Sequence, residues 1–372
     1  MRARLAILVT GLLLTAPAFA SPPPVGGRSY YVVNSVTGEV LATHAARERL
    51  PIASITKLMT VLVALDHARL DDIVTVTKQA ARVGESTIGL RPGEQITVGA
   101  LIEGALIPSA NDAAVALADY VGGGSQSAFV RLMNEKAQEL GLDDTHFVNP
   151  DGLDAAGHYS SARDVTRLAE IAMRNPGVRE DVRETAAIIS GGRVLHTRND
   201  LLYSFPNLLG VKTGHTSLAG WSEVAAAAGR GVTIYATLLG EPTRHARNVD
   251  LAALLAWGLS LYRVAPVVST DRVYAWARAP YGRAQLALVA PRSVLRVVRV
   301  DRTLVERVVA PGTVSLPVGR GQRLGEVSVF AGKRLIARAP LVASRSIRKP
   351  GLIARAEWFA GRTVHRVFSW VT

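Results

Sequence analysis

The sequence predicts a mixed α/β (α+β) domain, then a small all-β sandwich domain, then a C-terminal amphipathic helix. Three observations predict this. Apolar residues recur at helical spacing through the middle of the first 260 residues, and strand-like runs flank that middle. After about Leu261 the pattern changes to short β-branched runs separated by Gly and Pro. With 372 residues, 48% of them hydrophobic, the chain can build two or three packed domains and is not intrinsically disordered. The absence of cysteine excludes a disulfide scaffold, a zinc finger and a Cys nucleophile.

The elements follow in order. Arg2 and Arg4 precede an apolar run from Leu5 to Thr15, and Ala18-Phe19-Ala20 places small residues where a signal peptidase reads. This is the pattern of a secretory signal peptide over residues 1–20, cleaved after Ala20. The run is too short to cross a membrane comfortably, although an uncleaved anchor has similar features. Residues 21–262 are expected to form the first domain. Tyr30 to Asn34 reads as a strand that turns at Ser35-Val36-Thr37-Gly38 and pairs back. Ile55, Leu58, Met59, Leu62 and Leu65 place a helix over 54–67. Another helix ends at Pro108, and others run from Asp112 to Tyr120, Ser127 to Leu140 and Ala162 to Arg174. Val232 to Leu239 reads as a buried strand, and Asp250 to Leu261 as a last helix. Residues 263–345 carry seven short strand-like runs, near 273–277, 286–290, 294–300, 305–309, 314–318, 327–330 and 335–337. In 346–372, Leu352, Ala356, Phe359, Val367 and Trp370 fall on one helical stripe, with Arg355, Arg362 and Arg366 opposite. That stripe suits a helix lying in a membrane surface; a helix packed on its own domain is the alternative.

Charge is uneven. The net +13 is concentrated in the C-terminal third, with +11 in residues 263–345, whereas residues 21–262 carry −4. Such a patch favours anionic lipid or anionic wall polymer, and the export signal argues against nucleic acid.

Three short motifs carry chemistry. Ser54 and Lys57 in Ser54-Ile55-Thr56-Lys57 share one helix face, so hydroxyl and amine can meet. A Ser hydroxyl needs a base to become a nucleophile, and Lys can be that base if desolvation and a nearby cation depress its pKa. Ser346-Ile347-Arg348-Lys349 repeats the spacing in a linker and serves as an internal decoy. Ser109-Ala110-Asn111 follows Pro108 and can project Ser109 and Asn111 from a loop, or simply cap the next helix. Lys212-Thr213-Gly214 ends a strand starting at Leu208; Gly214 permits close backbone approach, and Lys212 and Thr213 could hold a peptide carboxylate. Only six of the 43 basic residues are lysines, and two of the six sit in motifs that need an amine able to lose its proton.

The ordered set resembles the penicillin-recognising serine acyl transferases, with a β-lactamase/transpeptidase-like fold. Pro51 to Thr60, Asn149-Pro150-Asp151-Gly152-Leu153, Tyr159 to Asp164 and Gly210 to Thr216 look like the D-alanyl-D-alanine carboxypeptidases, the low-molecular-mass penicillin-binding proteins. The resemblance covers residues 28–262. It implies a serine peptidase that removes the terminal D-alanine of peptidoglycan stem peptides and is acylated by β-lactams. It implies Ser54 as nucleophile, Lys57 as its base, and Ser109 with Lys212 as proton relay. Asn111 would bond the substrate amide, and Lys212 and Thr213 the terminal carboxylate. Backbone N–H groups of Ser54 and His215 would form the oxyanion hole, with Gly214 beside them. Arg244 or Arg247 fits an arginine that assists the carboxylate. No metal or cofactor is implied. The enzyme would sit at the extracytoplasmic face of the inner membrane, held by its C-terminal helix.

Rival readings remain. A class A β-lactamase would need a Glu and an Asn four residues later; Glu170 and Asn175 are five apart. A D,D-endopeptidase would use the same residues. A Ser-His-Asp hydrolase would need a placed His. A non-catalytic wall- or membrane-binding protein could keep the fold.

Overall fold

Five antiparallel strands form the sheet on which the site is built. In spatial order they are Glu39–His44, Ser29–Asn34, Val232–Glu241, Gly220–Gly229 and Leu208–Thr216. The computed structural model describes residues 5–12 (backbone), 21–281, 285–353, 356 and 358. Residues 20–260 form one compact unit, and residues 261–372 with 1–19 form another.

The first unit layers helices on both sheet faces. Along Val232–Glu241 the side chains alternate between two buried faces, so the strand reads as a continuous apolar run. Tyr235 and Leu239 join the core with the Lys57–His67 helix, and Thr237 meets Thr166 of the Ala162–Ala172 helix at 2.6 Å. On the other face, Ile234 packs at Gly258 of the Arg244–Ser260 helix. Lys57 to Ala64 are all buried, so the Lys57–His67 helix is apolar nearly all round and central. Thr97, Ser125 and Ser161 accept backbone N–H groups at the starts of the Val98–Leu106, Gln126–Glu139 and Ala162–Ala172 helices.

Several boundaries differ from expectation. The stretch before Lys57 is a 3-10 turn, Ala53–Thr56. The last helix begins at Arg244 rather than Asp250, because the Thr243 hydroxyl accepts the Ala246 N–H at 3.1 Å. The Leu208–Thr216 strand runs past Lys212-Thr213-Gly214, which therefore lies inside it and not at its end.

The second unit is sheet-rich, as expected. Its larger sheet contains Leu304–Pro311, Arg323–Ala331, Arg334–Ala343, Leu286–Val289 and Val273–Ala277 in that order, and Tyr262–Val268 pairs with Val294–Arg299. Leu286, Leu288, Val327 and Leu341 are at its core. Residues 314–318 are not a strand: the segment holds Pro317, which lacks an N–H, and has only an isolated bridge from Val318 to Ile347, with another from Thr313 to Arg278 just before it. Leu5–Leu12, expected to belong to a cleaved signal peptide, pairs antiparallel along the edge of Leu304–Pro311. An apolar run with free backbone groups suits an unpaired sheet edge. The rest of residues 1–20 and most of the terminal helix lie outside the described residues.

Candidate active site

The 3-10 turn does for Ser54 what an α-turn would do less well. With three residues per turn, positions i and i+3 eclipse, which aligns Ser54 over Lys57. Lys57 Nζ lies 2.8 Å from Ser54 Oγ, 2.7 Å from Asn111 Oδ1 and 2.7 Å from the Asp151 carbonyl. Three oxygens account for three ammonium hydrogens. If Lys57 is neutral, it donates to Asn111 and Asp151 and turns its lone pair to Ser54. Burial lowers the Lys57 pKa to about 8, while Asp151, Glu85 and Asp112 oppose the shift. The nearby cation expected to help is not among its causes; it is Lys57 that lowers Lys212.

Two glycines hold this turn. Gly152 has φ +86°, and a Cβ there would lie 2.0 Å from the Ala53 carbonyl oxygen. Asn149 closes the Gly152 loop, accepting Gly152 N–H at 2.7 Å and donating to Leu153 O at 2.8 Å. Gly214 brings its strand against the same turn, where a Cβ would meet Ile52 O at 2.6 Å. The close approach expected of Gly214 is therefore to the turn that carries Ser54.

Ser109 takes a left-handed backbone, φ +66°, which is costly for a residue with a Cβ and recurs at functional sites. Its Oγ accepts from Lys212 Nζ at 2.7 Å. Asn111 opens the next helix, donates Nδ2–H to Gly84 O at 3.0 Å and receives Lys57 on Oδ1. Lys212 is buried, so its pKa falls well below the usual amine range, mainly by desolvation and then by Lys57; Glu223 opposes.

Ser54, Ser109, Asn111, Thr213, Gly214 and His215 line one cleft of about 270 Å³. Lys57 and Lys212 lie behind it, fully buried. All eight expected site residues are thus brought together. The decoy is not part of the cleft: the Ser346 hydroxyl accepts the Arg320 N–H. Glu170 is also absent from the cleft wall, and His215 stacks on Trp221 at 3.9 Å between ring centroids. The wall further includes Glu85, Ser86, Arg198, Trp221, Arg244 and Arg247. Sequence reasoning missed Glu85, Ser86, Arg198 and Trp221, which belong to no motif. Arg244 is 45% exposed and engages Asp200 through two nitrogens, whereas Arg247 is buried.

Comparison with known proteins gives the family. Residues 17–243 match the D-alanyl-D-alanine carboxypeptidase family. The chain is 32% identical to the D-alanyl-D-alanine carboxypeptidase DacC of Escherichia coli, over 96% of this chain and 95% of that one. It is 33% identical to DacF of Bacillus subtilis, over 88% and 87%. Penicillin binding protein 5 of Haemophilus influenzae has a similar structure, with TM-score 0.64 and 27% identity over 89% of this chain and all of that one. A Ser–Lys pair and a second Ser–Lys pair in one cleft, on a chain with these relatives, lead to one assignment: the chain belongs to the D-alanyl-D-alanine carboxypeptidase family and is a serine peptidase.

Proposed function

We propose that Ser54, Lys57, Ser109 and Lys212 carry out D-alanine removal in the following way. Neutral Lys57 takes the Ser54 proton across 2.8 Å as Oγ attacks the carbonyl between the two D-alanines. The oxyanion forms between the N–H groups of Ser54 and His215. Thr213 and Lys212 face the terminal carboxylate, which favours the protonated form of Lys212. Buried Arg247 assists, since Arg244 is committed to Asp200. The substrate lies along Leu208–Thr216, the outermost strand of its sheet, and Asn111 bonds its amide with the second Nδ2–H. The C–N bond breaks, Ser109 passes a proton from Lys212 to the departing D-alanine nitrogen, and water hydrolyses the Ser54 ester. The observation that carries this reading is the pair of contacts, Ser54–Lys57 and Ser109–Lys212, bordering one cleft.

The test is D-alanine release from a pentapeptide ending in D-Ala-D-Ala, alongside penicillin labelling. Wild type should do both and Ser54→Ala neither. Labelling that survives in Ser54→Ala would refute the assignment, and no labelling of wild type would favour a non-catalytic binder. We further propose that residues 1–20 direct export and are removed, that the enzyme acts outside the cytoplasm, and that residues 350–372 hold it to the membrane surface. No helix among the described residues is long and apolar enough to cross a membrane.

A further inference from the structure

Glu223 is fully buried in Gly220–Gly229, directly opposite Thr213. Two residues away on the same face, Trp221 lies opposite His215. Two rungs therefore run inward from the cleft: His215 stacked on Trp221, then Thr213 beside Glu223. Arg247 spans both. Its Nε is 3.1 Å from Glu223 Oε2, and its guanidinium carbon is 5.7 Å from the centre of the Trp221 ring. Its remaining partners are Asn248 Oδ1 at 3.0 Å from Nε and Asp200 at 3.5 Å.

A carboxylate away from water is costly, and a buried ion pair can often be replaced by apolar residues without loss of stability. Packing alone therefore does not account for Glu223. Its surroundings give another reason. Lys57, Arg198 and Arg247 all press positive charge on Lys212, and Glu223 is the carboxylate that opposes them. Burial pushes the Glu223 carboxyl up to about 7; Arg247, Lys212 and Asn199 favour its charged form and Asp200 opposes it, so the counter-charge is complete only above that pH.

We propose that Glu223 is a positioning residue for the carboxylate-receiving end of the cleft: lying across the ladder from Thr213, it holds Arg247 against Trp221. Without it, Arg247 loses its inner partner. The proposal rests on the reading of Lys212, Thr213 and Arg247 as the carboxylate's partners.

Glu223→Gln tests it, because the replacement has the same shape without the charge. The probes are one peptide ending in D-Ala-D-Ala and the same peptide ending in D-alanine amide. For the carboxylate peptide, we expect Glu223→Gln to lower kcat/KM about tenfold, chiefly through KM. The amide peptide should change less than about twofold, since it lacks the group being received. Equal losses on both peptides would indicate a structural role and overturn the proposal, as would an unchanged KM. Wild type that handles both peptides alike overturns the carboxylate reading itself, a result visible before any variant is made. If Glu223→Gln fails to fold, Glu223→Asp keeps the charge with a shorter reach. It should show a smaller KM rise confined to the carboxylate peptide, and a wild-type KM overturns the proposal.

Discussion

In the proposed mechanism Lys57 is the base, although three oxygens that welcome its charged form enclose it. Burial outweighs them and lowers its pKa to about 8, so the amine is protonated below that value and neutral above it. Penicillin acylation should accordingly rise with pH through about 8 and fall away on the acid side, read as labelling rate against pH. Lys57→Arg should give almost no labelling at any pH in a folded protein, because a guanidinium keeps its proton. A limb that persists near pH 8 in Lys57→Arg assigns it to another group. His158 supports the same turn differently. Val148 N–H donates to its Nδ1, so Nε2 carries the hydrogen and donates to Thr56 Oγ1 at 2.8 Å. Burial lowers its pKa to about 4, below the 6.5 of the unfolded chain, so between these values the unfolded state binds more protons. The contribution is present above pH 6.5 and lost as pH falls towards 4, amounting to about 3 kcal/mol. Urea midpoints of wild type and His158→Gln should diverge at pH 7 and converge near pH 4. Parallel curves would leave acid sensitivity to other groups.

The turn that carries Ser54 is held by two other segments that fit against it without a side chain between them. Gly152→Ala would force a left-handed alanine into the Ala53 carbonyl, and a cost above about 3 kcal/mol is expected, with loss of labelling. Native urea stability with full labelling would show that the loop yields. Local patterns reveal some of this and hide the rest. Ser54 and Lys57 were legible because helical periodicity and the i, i+3 spacing coincide. Lys212 and Thr213 read as a strand end because polar residues interrupt an apolar run, whereas the strand continues along the cleft. The first turns of Arg244–Ser260 were illegible because Arg244, His245, Arg247 and Asn248 offer no apolar stripe. Trp221 and Glu223 acquire meaning only from the residues across the ladder, and no window along the chain contains that pairing.

At the scale of the molecule, composition told most. The change of period near Leu261 marks the start of the sheet-rich unit, and the excess of arginine there was visible by counting. The edge pairing of Leu5–Leu12 was not, since edge strands are chosen by what lies unpaired elsewhere. Removing residues 350–372 should release the protein from membrane fractions with D-alanine release intact. Unchanged partitioning would locate membrane affinity elsewhere, and the arginine-rich second unit would be the next segment to remove. The clamp formed by Gly152 and Gly214 also bears on drug tolerance. Neither glycine leaves room for a methyl group, so both segments that brace the Ser54 turn are closed to substitution, and adaptive change in the cleft is left to residues of its wall that carry side chains, such as the exposed Arg198.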